Sequence, residues 1–355
     1  MLTDIFARRY ESRVLFTSVG TNELRLLVQA FRIISEHLMP YFAADGKTDE
    51  AAKGAWQRLH DQLTMEFGWK ELSPRYYSYP TTWNGQATTQ SGIYGINMVC
   101  EAFVTEPFTN QDPDVFVKNR LSFVELAFRA RENQIKLANW GLPNELRKAS
   151  FDDLKPRRGM TIPSANPPNV VQRTQQANDR LNSAFNALVR ELNTRFEQAR
   201  APLNYHNGFI QIATDALTQE QIDEPFWALV KDQKWANVDT DMKEAIDRRD
   251  TAGRDPALYA AKALESTIKI ICGEKGWTTG AEKGASDFLN HLERKATGRF
   301  VDPWERELMQ KFFGGVRNEL GHGPGGEPMP ALTGPQTDAA IELCMSWIKS
   351  LIVRL

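Results

Sequence analysis

The sequence predicts a mainly α-helical fold: an N-terminal helical domain, a small β-hairpin and a C-terminal four-helix bundle. Three observations carry this expectation. Apolar residues recur at three- and four-residue spacing through most of the chain, the period of one face of an α-helix. The dipeptide Asn207-Gly208 stands between two short apolar runs, where both residues can adopt the left-handed conformation that a two-residue hairpin turn needs. A proline-rich stretch, 156–170, is the clearest break in the pattern and places a linker between two domains.

From the N-terminus, helical periodicity is visible in 22–42, 51–67 and 114–140. In the last of these, Val117, Leu121, Val124, Phe128 and Ile135 fall near helical spacing. The segment 74–110 carries Tyr76, Tyr77, Tyr79, Pro80 and Trp83 among glycines and threonines and reads as an aromatic loop. Such rings can stack bases, but no Lys or Arg is interleaved with them, so packing is the expected role. Residues 1–155 thus form the expected N-terminal domain, 156–170 the linker and 171–240 a connecting helix and hairpin.

In the connecting part, Leu181, Phe185, Leu188, Leu192 and Phe196 form a stripe too short for a stable coiled coil, so it is expected to pack internally. The hairpin follows at 205–212. Residues 241–355 are expected to hold helices at 255–273, 281–297, 303–320 and 337–354. The third opens with Asp302, Pro303 and Glu305, an N-cap, an N1 proline and a capping-box glutamate. Trp304, Leu308, Phe312, Val316 and Leu320 then recur every four residues, with Met309 and Phe313 widening the stripe. The last helix offers Ile341, Cys344, Met345, Ile348, Leu351 and Ile352 to a core.

Composition narrows the function classes. At 355 residues, with 41% apolar and 25% charged residues, the chain suits two folded domains and not a disordered polymer. A net charge of −2 gives no global basic footprint, which disfavours a duplex-coating nucleic-acid binder and allows contact with a few phosphates. Cys100, Cys272 and Cys344 are odd in number and far apart, as expected of reduced core thiols in a cytoplasmic protein. The histidines 37, 60, 206, 291 and 322 are scattered without zinc-ligand spacing, so no metal and no cofactor is expected. No apolar run approaches membrane-spanning length, charges at Asp4, Arg8 and Arg9 interrupt any signal-peptide core, and no P-loop pattern occurs.

The stretch Arg317-Asn318-Glu319-Leu320-Gly321-His322-Gly323 is chemically the most informative. A guanidinium is cationic at any working pH and matches two phosphate oxygens, whereas an imidazole can give or take a proton near neutrality. RNA carries its own nucleophile in the 2′-OH, so a proton shuttle beside a fixed cation is enough for metal-free cleavage. Five ideal helical steps leave two side chains about 140° apart. Gly321 can reverse the chain in the left-handed conformation and return His322 towards Arg317. The alternative is a helix end at which a histidine cation merely faces the dipole. Two other pairs have an Arg five or six positions before a His: Arg32/His37 lies within an apolar-periodic run with no expected helix break, and Arg200/His206 is placed on a different kind of element by Pro202 and the Asn207-Gly208 turn.

The last third of the chain resembles HEPN-type ribonuclease domains, in particular the C-terminal domain of bacterial abortive-infection (AbiJ-like) proteins. That motif, an Arg, a polar residue and a later His, would correspond to Arg317, Asn318 and His322. The stretch 255–269 is similar to the first long HEPN helix with its Glu-x-x-x-Lys pair, here Glu265 and Lys269. Four apart with the acid first, these two can pair on one helix face. They read either as a surface pair or, by the resemblance, as supporting residues at the cleft that order the arginine or touch RNA. Residues 2–10 and 118–126 resemble parts of an abortive-infection N-terminal domain.

The resemblance implies an HEPN-type four-helix bundle and a metal-independent endoribonuclease of an anti-phage or toxin-like system, leaving 2′,3′-cyclic phosphate and 5′-hydroxyl ends. The implied partners are RNA, such as a tRNA or another structured small RNA, and a second copy of the chain completing a composite active site. A sensor or antitoxin partner for the N-terminal domain is left open, and no membrane is implied. The competing reading is a non-catalytic HEPN module that dimerises or holds a nucleotide in a defence complex.

Overall fold

A computed structural model describes residues 4–84, 86–154, 169–213, 218–318 and 331–355, which form two compact units, 1–210 and 211–355. The first is built on α5, Pro113–Leu154, which runs 42 residues and continues through Gly141 and Pro143 beyond the expected end at 140. Before it come α1 (Phe6–Arg9), α2 (Thr21–Arg32), α3 (Glu50–Phe67), the hairpin β1–β2 (Tyr76–Trp83 and Gln86–Ile93) and α4 (Ile96–Thr105). After it comes α6, Val170–Gln198, which packs against α5 through Phe185, Leu192 and Phe196. The expected internal role of that stripe is therefore met.

Because the units divide at 210/211, α5 and α6 belong to one unit, and the boundary does not fall at 156–170. The prolines of 156–170 break the apolar periodicity of the sequence, a local signal that does not report where a core ends. Most of 156–170 lies outside the described residues.

The segment 74–110 is a second correction. It forms an antiparallel hairpin, with Tyr76 opposite Ile93 and Trp83 opposite Gln86, followed by α4. Tyr76 and Trp83 are 64% and 75% exposed, so these rings do not pack inward as expected. With both hairpin faces largely in solvent, no apolar alternation marks the strands.

The two stretches that resemble the abortive-infection N-terminal domain meet inside this unit. Glu125 on α5 is fully buried and is paired with both Arg9 and Arg129. The Ile210 N–H donates to Glu125 Oε2 at 2.7 Å, and Arg9 Nη2 donates to the Ile210 carbonyl at 3.0 Å. Lys118, one helical face along, pairs with Asp114 and donates to the Tyr10 carbonyl at 2.6 Å. A buried carboxylate is tolerated only with such partners, so the polar residues of 118–126 hold the N-terminal helix in place.

The expected hairpin is present as β3 (Leu203–His206) and β4 (Phe209–Ile212), turning on Asn207 and Gly208 with φ of 44° and 93°. Two successive positive φ values are the primed turn that Asn-Gly favours.

The second unit contains α7 (Glu224–Val230), α8 (Ala236–Asp250), α9 (Pro256–Glu274), α10 (Ala285–Glu293), α11 (Pro303–Phe312) and α12 (Gly334–Val353). Helix α9 runs through the core, against α8 and α12, with Ala260, Ala261, Leu264, Ile268 and Ile271 buried. From α12, Ile341, Cys344, Met345, Ile348 and Leu351 fill the same core. Helix α8 was not among the expected elements, and α10 ends at Glu293, short of 297.

Helix α11 begins with the expected capping box between Asp302 and Glu305. Its buried face is Met309 and Phe313; Trp304 and Leu308, expected in the apolar stripe, are 61% and 47% exposed. The α-helix ends at Phe312, and Phe313–Asn318 form a π-helical turn in place of the α-helix expected to 320.

Candidate functional site

Arg317 sits in the π-helical turn that extends α11, and two anchors fix that turn. Phe313 is 2% exposed in the main core, while Phe312 and Val316 pack against Ala257 and Ala340. The turn contains Gly314 and Gly315, and a Cβ at either position would meet nothing within 4 Å. Space does not require glycine there. Two successive glycines do lower α-helix stability by about 1 kcal/mol each, which favours departure from α geometry at this point.

The turn lies against α9, and Arg317 Nη2 is 2.9 Å from Glu265 Oε2. The other oxygen of the same carboxylate, Oε1, is 2.9 Å from Lys269 Nζ. Glu265 is itself buried, with its side chain 9% exposed, whereas Arg317 is 36% exposed. One carboxylate therefore bridges two cations and orients the guanidinium while leaving part of it open to solvent. Sequence offered two roles for Glu265 and Lys269, a surface pair or support for the arginine; Glu265 is buried and meets both Lys269 and Arg317.

Other residues at this face were not singled out from sequence. Lys262 lies three positions before Glu265 and shares its face with Lys269. Its Nζ is 4.3 Å from the centre of the Tyr259 ring, and the Arg248 guanidinium lies 4.3 Å from the same ring. The spacing 262, 265, 269 could have found Lys262; the pairing with Arg248 on α8 is tertiary and carries no local signal.

Asn318 closes the π-helical turn, but its side chain lies outside the described residues. His322 lies outside them too, as do Gly321 and Gly323. The structure therefore brings together Arg317, Glu265 and Lys269 among the expected site residues.

Elsewhere the titratable groups have structural surroundings. Cys100, Cys272 and Cys344 are buried and unpaired, and burial pushes the Cys272 thiol up to about 12, with the Glu282 charge adding to the effect. Glu282 is held down at about 2, first by the Thr279 N–H and further by the Thr279 hydroxyl and His291, whose Nε2 is 2.7 Å away. Among the described residues, no group of three His, Cys, Asp or Glu is arranged to hold a metal ion. No described helix is long and apolar enough to cross a membrane.

Two family models match the chain in succession. The AbiJ N-terminal domain 4 family model matches residues 4–228, and the model of an HEPN-like domain matches 236–353. Neither a curated protein nor a solved structure matches the chain. A largely helical chain with these two matches in succession belongs to the AbiJ-like family of abortive-infection defence proteins, with an HEPN-like C-terminal domain.

Proposed function

We propose that the protein is a metal-independent endoribonuclease acting in anti-phage defence. The observation that supports this most is the Glu265 bridge, which holds a half-exposed Arg317 on the HEPN-like domain four residues before a glycine and five before a histidine. In the proposed reaction His322 takes the proton from a ribose 2′-OH, and the 2′-oxygen forms a bond to phosphorus as the bond to the 5′-oxygen breaks. Arg317 stabilises the added negative charge on the phosphate oxygens, and a second protonated group supplies the proton to the leaving 5′-oxygen. The products are a 2′,3′-cyclic phosphate and a 5′-hydroxyl.

One copy of the motif supplies one imidazole, so a base and an acid together call for two copies, and we include a homodimer with a shared cleft in the proposal. Trp304 and Leu308, exposed one turn apart on the helix that leads to Arg317, provide an apolar face for such a contact. The test is RNA cleavage by purified Arg317→Ala and His322→Ala proteins, together with growth toxicity on expression. Both activities are expected to vanish while the circular dichroism spectrum is retained. Cleavage persisting in both variants rejects the site, and nucleotide binding that Arg317→Ala abolishes, without cleavage by the wild type, favours the non-catalytic module.

A further inference from the structure

Arg32 and His37 repeat the spacing of Arg317 and His322, and sequence sets them aside because an α-helix would hold them apart. The structure removes that objection. Helix α2 ends at Arg32, and Ile33–Leu38 form a π-helical turn, with the Met39 N–H donating to the Ile34 carbonyl across five residues at 2.8 Å. A turn that closes over five residues brings positions five apart onto nearly one face. Arg32 and His37 accordingly line one open surface groove of about 530 Å³, to which α6 contributes Leu188, Glu191 and Arg195.

Each guanidinium in the groove is oriented by a carboxylate one turn away on its own helix. Arg32 Nε donates to Glu36 Oε1 at 2.7 Å and Nη2 to Oε2 at 3.3 Å. Arg195 Nε donates to Glu191 Oε1 at 2.9 Å, its Nη2 donates to the same oxygen, and its Nη1 donates to Gln198 Oε1 at 3.0 Å, so only the outer Nη1/Nη2 edge is left for a ligand. Arg32 Nη1 has no hydrogen bond among the described residues. Planar forks held in this way suit a phosphate, which accepts two parallel bonds.

The rest of the lining says what accompanies the phosphate. The volume falls in the range of small-molecule sites and exceeds what a bare anion fills. Ala187 and Leu188 give an apolar surface for a flat ring, and Glu36 and Glu191 can accept hydrogen bonds from ribose hydroxyls or an amino group. Two arginines and two glutamates nearly cancel in charge, so recognition rests on directed hydrogen bonds. We propose that this groove in the N-terminal unit is a binding site for a nucleoside monophosphate, with Arg32 and Arg195 on its phosphate.

Calorimetric titration of the full-length protein with AMP, GMP, adenosine and inorganic phosphate tests this. AMP or GMP is expected to bind one site per chain about tenfold or more tightly than adenosine or phosphate alone. Arg32→Gln and Arg195→Gln should each weaken binding about tenfold, and Arg32→Lys, which keeps charge but loses the fork, should weaken it as well. Both residues reach solvent, so these variants should keep the wild-type circular dichroism spectrum. Arg317→Ala should leave the affinity unchanged, which separates this site from the C-terminal one. Absence of nucleotide binding, binding no tighter than that of phosphate or adenosine, or an affinity indifferent to both arginine changes overturns the proposal.

Discussion

Glu265 places one negative charge between two cations, and in the proposed mechanism this makes it a positioning residue that acts through Arg317. Replacing it with Gln keeps the shape and removes the charge, so the guanidinium loses its fixed orientation. RNA cleavage is expected to fall about 10- to 100-fold, mainly in kcat, with Glu265→Asp recovering part of the loss. Unchanged kcat in Glu265→Gln would contradict the positioning role. Glu125 is the structural counterpart in the N-terminal unit. Arg9→Ala leaves a fully buried carboxylate short of a partner and should destabilise the protein by about 3–5 kcal/mol in urea unfolding, whereas Glu145→Ala in an exposed pair should cost less than about 1 kcal/mol. Acid stability follows from Glu282. Its folded pKa, near 2, lies below the ordinary value of 4.5, so its contribution is complete above about 4.5 and is lost as pH falls towards 2. The urea midpoint should drop across that window, and Glu282→Gln should flatten the drop.

At the level of single elements, the π-helical turn Phe313–Asn318 sets the direction in which Arg317 leaves its helix. Gly314→Ala and Gly315→Ala have room for the added methyl and raise α propensity by about 1 kcal/mol each. Both together should raise the melting temperature by a few degrees while lowering cleavage, because a return to α geometry rotates Arg317 away from Glu265. A stabilised variant with full activity would show that the turn is incidental. Neither this turn nor the one at Ile33–Leu38 was readable from the sequence, since the choice between four- and five-residue closure depends on packing around the turn. By contrast, Asp302-Pro303-Trp304-Glu305 and Asn207-Gly208 specify their caps and turns locally, and both are found where the residues put them. Helix α8 escaped notice because its sequence is dominated by charged and polar residues, with Val238, Met242, Ala245 and Ile246 carrying its buried face. Hairpin β1–β2 escaped for the opposite reason, having no buried face to impose alternation. At the candidate site, residue type and spacing gave Arg317, and the resemblance to HEPN domains gave Glu265 and Lys269, but only the packing of the π-helical turn on α9 shows that one carboxylate joins them.

On the scale of the whole molecule, a near-neutral chain suits the proposed nuclease, which would grip a few phosphates of a small RNA loop on its C-terminal domain. The proposed dimer assigns the exposed Trp304 and Leu308 a partner. The Trp304→Ser/Leu308→Ser double variant is therefore expected to elute as a monomer with its cleavage lost; a dimer of unchanged size would exclude that face. The nature of the RNA ends tests the central claim most directly. Incubation of the purified protein with total RNA in excess EDTA, followed by sequencing of 5′-hydroxyl ends, is expected to give discrete cleavage sites that disappear with His322→Ala. Cleavage that requires a divalent metal, or that leaves 5′-phosphate ends, would contradict a mechanism in which the 2′-OH attacks beside Arg317.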